Sequence, residues 1–257
     1  LDIVAIATNT KDRADLTCLA VENGVKAVMT DKPMAHTLEE SDRMVKTCAE
    51  AGVPLLCGAT TTNHPSFTIA RDLIGSGAIG EVVSMDVADV LAQHQNWSYF
   101  LDSKPLWVSG VGDTPRRELG SSEFGGQGIM VAEEGVVVHF RSGAPGLRLT
   151  GTAGEMLRGA PLEWRLWQDI ETSSGVKRVE VPWPEPVIGM YNRVVHGLSD
   201  VIDCLEGRLD EPKNSGRTVA VALEVEIALC LSSSMGGAKV DIPIEDRSMG
   251  LHYDWFR

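Results

Sequence analysis

The sequence predicts two architectures in series: an α/β segment with a parallel sheet, then an α+β segment with a mostly antiparallel sheet. Two observations carry this reading. Up to about residue 75, short apolar runs alternate with segments of helical period. From Glu81 onward, strand-length runs follow one another with turns between them, and two long helices close the chain.

Each element of the first segment has its own local signal. Ile3 to Ala7 (IVAIA) is a continuous apolar run, as expected of a strand covered on both faces. Asp12 to Glu22 places Leu16, Leu19 and Ala20 on one helical face, and Asn23-Gly24 supplies its C-cap. Val25 to Met29 is a second strand. Thr37-Leu-Glu-Glu40 is a capping box that opens a helix running to about Ala51. Gly52 stops that helix, and Val53 to Cys57 is a third apolar strand. This β-α-β-α-β order makes a parallel sheet with right-handed crossovers.

In an open α/β sheet, ligands bind outside the carboxyl ends of the strands. The first end reads Thr8-Asn9-Thr10, the second Thr30-Asp31-Lys32-Pro33, and the third Gly58 to Thr62, followed by Asn63-His64-Pro65. Ordinary loop polarity would explain any one of these alone. Three polar or small tips on one edge, one carrying a lysine, point to a site.

A helix from about Ser66 to Ile74 ends the first segment, which sets the division at 1–75 and 76–257. Strands are expected at Glu81 to Asp86, Leu106 to Gly112, Gly128 to Ala132, Val136 to Arg141, Leu147 to Thr152, Glu163 to Trp167 and Val176 to Val181. Glu133-Glu134-Gly135 reads as a hairpin turn, and Asn96 to Asp102 as a helix interrupting the series. The penultimate helix carries Met190, Val194, Leu198, Val201 and Leu205 as an apolar stripe. The last, about Arg217 to Ser234, is apolar nearly all round and so deeply packed.

Composition narrows the function classes. A net charge of −13 argues against nucleic acid and anionic membrane surfaces as partners. No apolar run approaches the roughly 20 residues that a bilayer span needs. The five cysteines show no CxxC pair and no metal-ligand spacing, which indicates free core thiols, a cytoplasmic setting and no metal centre. The chain opens on Leu1 inside a strand, so a beginning absent from the sequence is expected.

Several motifs then fall into one order. The stretch IATNTKDRADLTCLAVENGVKAVMTDKPMAHTLEESDRMVKTCAEAGVPLLCG resembles the second half of the nucleotide-binding domain of the glucose–fructose oxidoreductase and inositol dehydrogenase family (Gfo/Idh/MocA). Asp31-Lys32-Pro33 is similar to its Glu-Lys-Pro signature, SGAIGEV (76 to 82) to its entry into the second domain, and GTAGEM (151 to 156) to a later landmark. The closing NRVVHGLSD to VDIPI stretch also fits the family's C-terminal pattern. The resemblance implies a Rossmann-like sheet whose first βαβ half, with its GxGxxG turn, is missing ahead of Leu1. It also implies an α+β domain for substrate binding and oligomerisation. Two departures stand out. Arg13 occupies the place of the family's usual histidine after the first strand tip. The family's Asp-x-x-x-His motif is disturbed, because Asp89 and His94 are five residues apart.

The implied chemistry is hydride transfer between a sugar or polyol carbon and NAD or NADP. A lysine at a strand tip suits the reacting oxygen, and Asp31 and Pro33 would aim Lys32. His94 is the candidate proton carrier, because imidazole titrates near working pH; Gln95 or Asn96 could hold that position instead. Thr8, Asn9 and Thr10, with Asp31, Lys32 and Pro33, would neighbour the cofactor. Asn63 and His64, with Gln95 and Asn96, would meet the substrate; otherwise Asn63 and His64 cap the following helix. The resemblance also implies a homo-oligomer built through the second-domain sheet. Two alternatives stay open: a cofactor-retaining, glycoside-cleaving enzyme of the same family, and a non-catalytic sugar-binding or oligomerisation module.

Overall fold

The computed structural model describes residues 2–58, 61–88, 97–113, 125–141, 146–159, 163–185 and 192–251. The expectations for Asp89, His94, Gln95, Asn96 and Met190 lie outside the described residues.

The parallel sheet comes first. Strands β1 (Ile3–Ile6), β2 (Ala27–Thr30) and β3 (Leu55–Cys57) lie in that order, and both pairings are parallel. Helices α1 (Thr10–Glu22) and α2 (Leu38–Glu50) make the two crossovers. The capping box opens α2 as read from the sequence. The Thr37 hydroxyl accepts from the Glu40 N–H at 3.2 Å, and the Glu40 carboxylate accepts from the Thr37 N–H at 3.2 Å. The first strand departs from expectation: only Ile6 is buried and Ala5 is exposed. Among the described residues, β1 has a partner strand on one side alone, which leaves it more open than β2 and β3.

Helix α3 (Pro65–Gly75) leads to the second sheet. Its strands are β4 (Val82–Val87), β5 (Pro105–Asp113), β6 (Gly125–Ala132), β7 (Val137–Phe140), β8 (Leu147–Gly151), β9 (Gly154–Arg158), β10 (Trp164–Thr172) and β11 (Gly175–Val181), with β12 (Val240–Asp241) near the chain end. The spatial order is β11-β10-β9-β8-β4-β7-β6-β5-β12. Among the described residues of this sheet, only the β4–β7 pairing is parallel. The architecture is therefore α/β followed by α+β, as the sequence indicates.

The strand β9 had no strand signal. It arises because GTAGEM forms a hairpin seated against neighbouring main chain. A Cβ on Gly151 would lie 2.1 Å from the Ile79 carbonyl oxygen, so only glycine fits there.

Helices α4 (Arg193–Leu205) and α5 (Gly216–Ser234) complete the fold. Helix α5 is deeply packed, with Leu223, Val225, Ala228 and Leu229 each at 0% exposure. It touches α2 and β3 on one side and β5 and β12 on the other. Helix α4 packs against β2 and β3, but not through the whole stripe read from the sequence. Val201 is buried, whereas Val194 is 56% and Leu205 39% exposed. The inward face is centred on Gly197, Asp200 and Val201. Gly197 is the reason: a Cβ there would sit 2.8 Å from Asn63 Nδ2 and 3.3 Å from Leu56 Cδ1. The helix approaches β3 at this glycine, and the apolar stripe is rotated partly outward.

Candidate active site

The three strand tips end in register. Ile6 pairs with Thr30, and Thr30 with Cys57. Just past the strands, the Asp31 N–H donates to the Ile6 oxygen at 3.1 Å, and the Gly58 N–H to the Thr30 oxygen at 2.7 Å. This brings Thr8-Asn9, Asp31-Lys32-Pro33 and Gly58 to one edge.

At the first tip, Thr8 and Asn9 are exposed. Asn9 is the N-cap of α1 and makes no side-chain capping bond. Thr10 differs from the other two: it is 1% exposed, inside the first turn of α1, so its side chain is withdrawn from the edge. At the second tip, Asp31 and Lys32 are half-buried and Pro33 is buried. The Asp31 carboxylate accepts from the Lys32 main-chain N–H at 2.8 Å, which fixes the backbone that carries the amine. The Lys32-Pro33 peptide bond is cis.

Arg13 was visible in the sequence only as a departure from a pattern. In the structure it is 0% exposed, one turn into α1. Its Nη2 donates to the Thr8 oxygen at 2.8 Å, and its Nη1 to the Pro33 oxygen. Burial lowers its pKa, opposed by the nearby charge of Asp31. The sequence signal was an arginine directly behind the first tip on a helix otherwise read by its apolar face.

Segments distant in sequence hold the edge from behind. The Leu38 and Glu39 N–H groups, at the start of α2, donate to the Met249 and Arg247 oxygens at 3.0 and 2.7 Å. The Leu251 N–H donates to the His36 oxygen at 2.8 Å. At the third tip, the Asn214 carboxamide donates to the oxygens of Cys57 and Gly58, and its main-chain oxygen accepts from the Cys57 N–H at 2.9 Å.

Past the third tip, His64 caps α3 and Asn63 bonds main chain at the start of α4. Asn63 is 1% exposed and donates to the Arg193 oxygen at 3.3 Å. His64 is the N-cap of α3; its Nδ1 accepts from the Ser66 N–H at 3.1 Å. Trp164 donates to the Ser66 hydroxyl at 3.1 Å and stacks on Trp183 with ring centroids 5.1 Å apart. Burial, then the neighbouring His196, push the His64 pKa down, against a smaller opposing effect of Glu185.

Residues 1–59 match the model of the Gfo/Idh/MocA family, described as an oxidoreductase family with an NAD-binding Rossmann fold. The chain is related to the Gfo/Idh/MocA oxidoreductases. A 1,5-anhydro-D-fructose reductase of Ensifer adhaerens is 30% identical over 164 residues, which is 56% of this chain and 48% of the reductase. The chain thus spans about half the length of that relative. A 2,7-anhydro-N-acetylneuraminate hydratase of Escherichia coli is 36% identical over 84 residues, 33% of this chain and 22% of the hydratase. A levoglucosan dehydrogenase solved with NADH and levoglucosan superposes with a TM-score of 0.70 at 18% identity, covering 95% of this chain and 81% of that one. At that identity it attests the shared fold and no more.

Among the described residues, no cluster of histidine, cysteine, aspartate or glutamate side chains could hold a metal ion, and no helix is long and apolar enough to cross a membrane. All five cysteines are free thiols, with Cys48 and Cys57 buried.

Proposed function

We propose that this chain works in an NAD(P)-dependent oxidoreductase that moves hydride between a sugar or polyol carbon and a nicotinamide. The observation that carries the reading is Lys32, half-buried at the middle one of three strand tips in register. The edge fits the nicotinamide end of the cofactor. Thr8 and Asn9 are exposed beside it, and α1 begins there with no side chain capping its N-terminus. The bound cofactor supplies the hydride chemistry; the chain's own residues supply the rest. The Lys32 ammonium donates to the reacting oxygen and stabilises charge that develops on it. Asp31 holds the Lys32 backbone through the bond to its N–H. The hydroxyl proton goes to His94, or to Gln95 or Asn96 in its place, and Gln95 and Asn96 are also assigned to substrate contact. Asn63 and His64, at the third tip, are assigned to the substrate side.

We assign residues 1–75 to the cofactor side and 76–257 to the substrate side, with α4 and α5 serving both. A homo-oligomer would use the second sheet, where half-buried Trp107, Val131 and Val137 form a row across β5, β6 and β7. Five free thiols suit a cytoplasmic setting.

The test is turnover of a sugar and polyol panel with NAD+ and NADP+, read by nicotinamide absorbance, in the cofactor-loaded enzyme. Lys32→Met should lower kcat by about a hundredfold or more with the fold intact. An unchanged rate removes Lys32 from the mechanism. A second reading, transient oxidation with the cofactor retained, draws on the match to the hydratase. Product formation without net NADH selects it; stoichiometric NADH excludes it. A chain that fails to bind NADH in a fluorescence titration would favour the non-catalytic module.

A further inference from the structure

We infer that Arg13 is a positioning residue: its guanidinium ties the first strand tip to the second and thereby sets where Lys32 stands. This rests on the oxidoreductase reading for its purpose, but not for its geometry. The last ladder-like bond between β1 and β2 runs from the Asp31 N–H to the Ile6 oxygen. Past it the two chains diverge, one into α1 and the other through Lys32 and Pro33 toward α2. Arg13 bridges that gap. It donates to the Thr8 oxygen on one side and to the Pro33 oxygen on the other.

The residue type matters. A guanidinium presents several donors in a rigid plane, so it can hold two carbonyl oxygens at a fixed separation. A lysine ammonium is a single flexible point and cannot impose that spacing. Burial sharpens the argument. Arg13 is 0% exposed, and taking a cation out of water is expensive even with Asp31 nearby. An apolar side chain of similar volume would cover the same core at least as well. What the arginine adds is a defined distance between two loops, and Lys32 immediately precedes one of the two residues it grips.

The test compares the unaltered chain with Arg13→Lys and Arg13→Gln by amide hydrogen exchange with mass spectrometry, well below all unfolding transitions. Exchange in residues 7–10 and 31–35 should rise about tenfold or more in both variants. Exchange around Gly58, held by Asn214, should stay unchanged. The acylation rate of Lys32 should shift against that of Lys46 and Lys239. In the loaded enzyme, Arg13→Lys should lower kcat about tenfold with KM nearly constant. An even rise over residues 2–58 would mean ordinary core packing and overturn the inference. So would unchanged exchange, or an unchanged kcat once the tips are loosened. Should neither variant fold, NMR of the unaltered chain decides: rapidly exchanging, freely rotating Arg13 guanidinium protons would overturn it, and protected ones support it. If Lys32→Met leaves turnover intact, the dehydrogenase reading fails while the exchange result stands on its own.

Discussion

The carboxamide of Asn214 donates to the main-chain oxygen of Gly58 at 3.1 Å, across 156 residues of sequence. The same amide reaches the Cys57 oxygen, so one side chain holds the end of β3. Asn214 is fully buried. Replacing it with alanine leaves two inward carbonyls without that donor, and Asn214→Ala should cost about 1–3 kcal/mol. Urea denaturation measures this, and a midpoint that does not move would show that the two bonds contribute nothing net.

Lys213 and Asp200 form an ion pair with side chains 11% and 6% exposed. Lys213→Met leaves the buried Asp200 carboxylate accepting from the main-chain N–H of residue 213 at 3.2 Å and without its ammonium. The expected loss is about 3–5 kcal/mol, whereas the double change Asp200→Asn with Lys213→Met should recover most of it. A double variant as unstable as the single one would contradict the assignment of the cost to an uncompensated charge.

Gly197 offers a test of sign. Helix propensity alone favours alanine over glycine by about 1 kcal/mol. The added Cβ, however, would meet Asn63 Nδ2 at 2.8 Å. Gly197→Ala should therefore lower the melting temperature, with a cost of about 1–3 kcal/mol from crowding. A higher melting temperature would show that α4 can move away from β3 freely.

His64 predicts a pH dependence. Its folded-state pKa lies below the ordinary 6.5, mainly through burial. As pH falls, the unfolded chain binds this proton before the folded chain does. Stability is therefore unaffected above the ordinary value and declines below it. His64→Asn keeps a side-chain acceptor at the cap and removes the titration. Its stability should fall less steeply than that of the unaltered chain between about pH 7 and pH 5. Parallel profiles would assign the acid loss to other groups.

The parts of this fold that were legible in the sequence are those written in short-range signals. The capping box at Thr37 and Glu40, the alternation of strands and helices, and the three strand tips needed only neighbours along the chain. The exposure of β1 was not legible, because an apolar run records composition and not how many partners a strand has. Strand β9 was hidden in GTAGEM, whose Gly151 answers to the Ile79 main chain some seventy residues earlier and whose Gly154 answers to the Trp167 oxygen on β10. The site divides the same way. Lys32 stood out as a charge at the end of an apolar strand. Arg13 showed only as a departure from a family pattern and Asn214 not at all, since their partners are carbonyl oxygens, which every residue possesses and no pattern marks.

The bonds from Met249 and Arg247 to the start of α2 reach beyond geometry. Residues 1–59 are one uninterrupted stretch in sequence, yet the loop after Lys32 is completed by residues near the other end of the chain. During synthesis that loop has to wait until residues 247 to 249 have emerged. A version ending before Arg247 would keep every residue proposed to do chemistry and lack the part that finishes their setting.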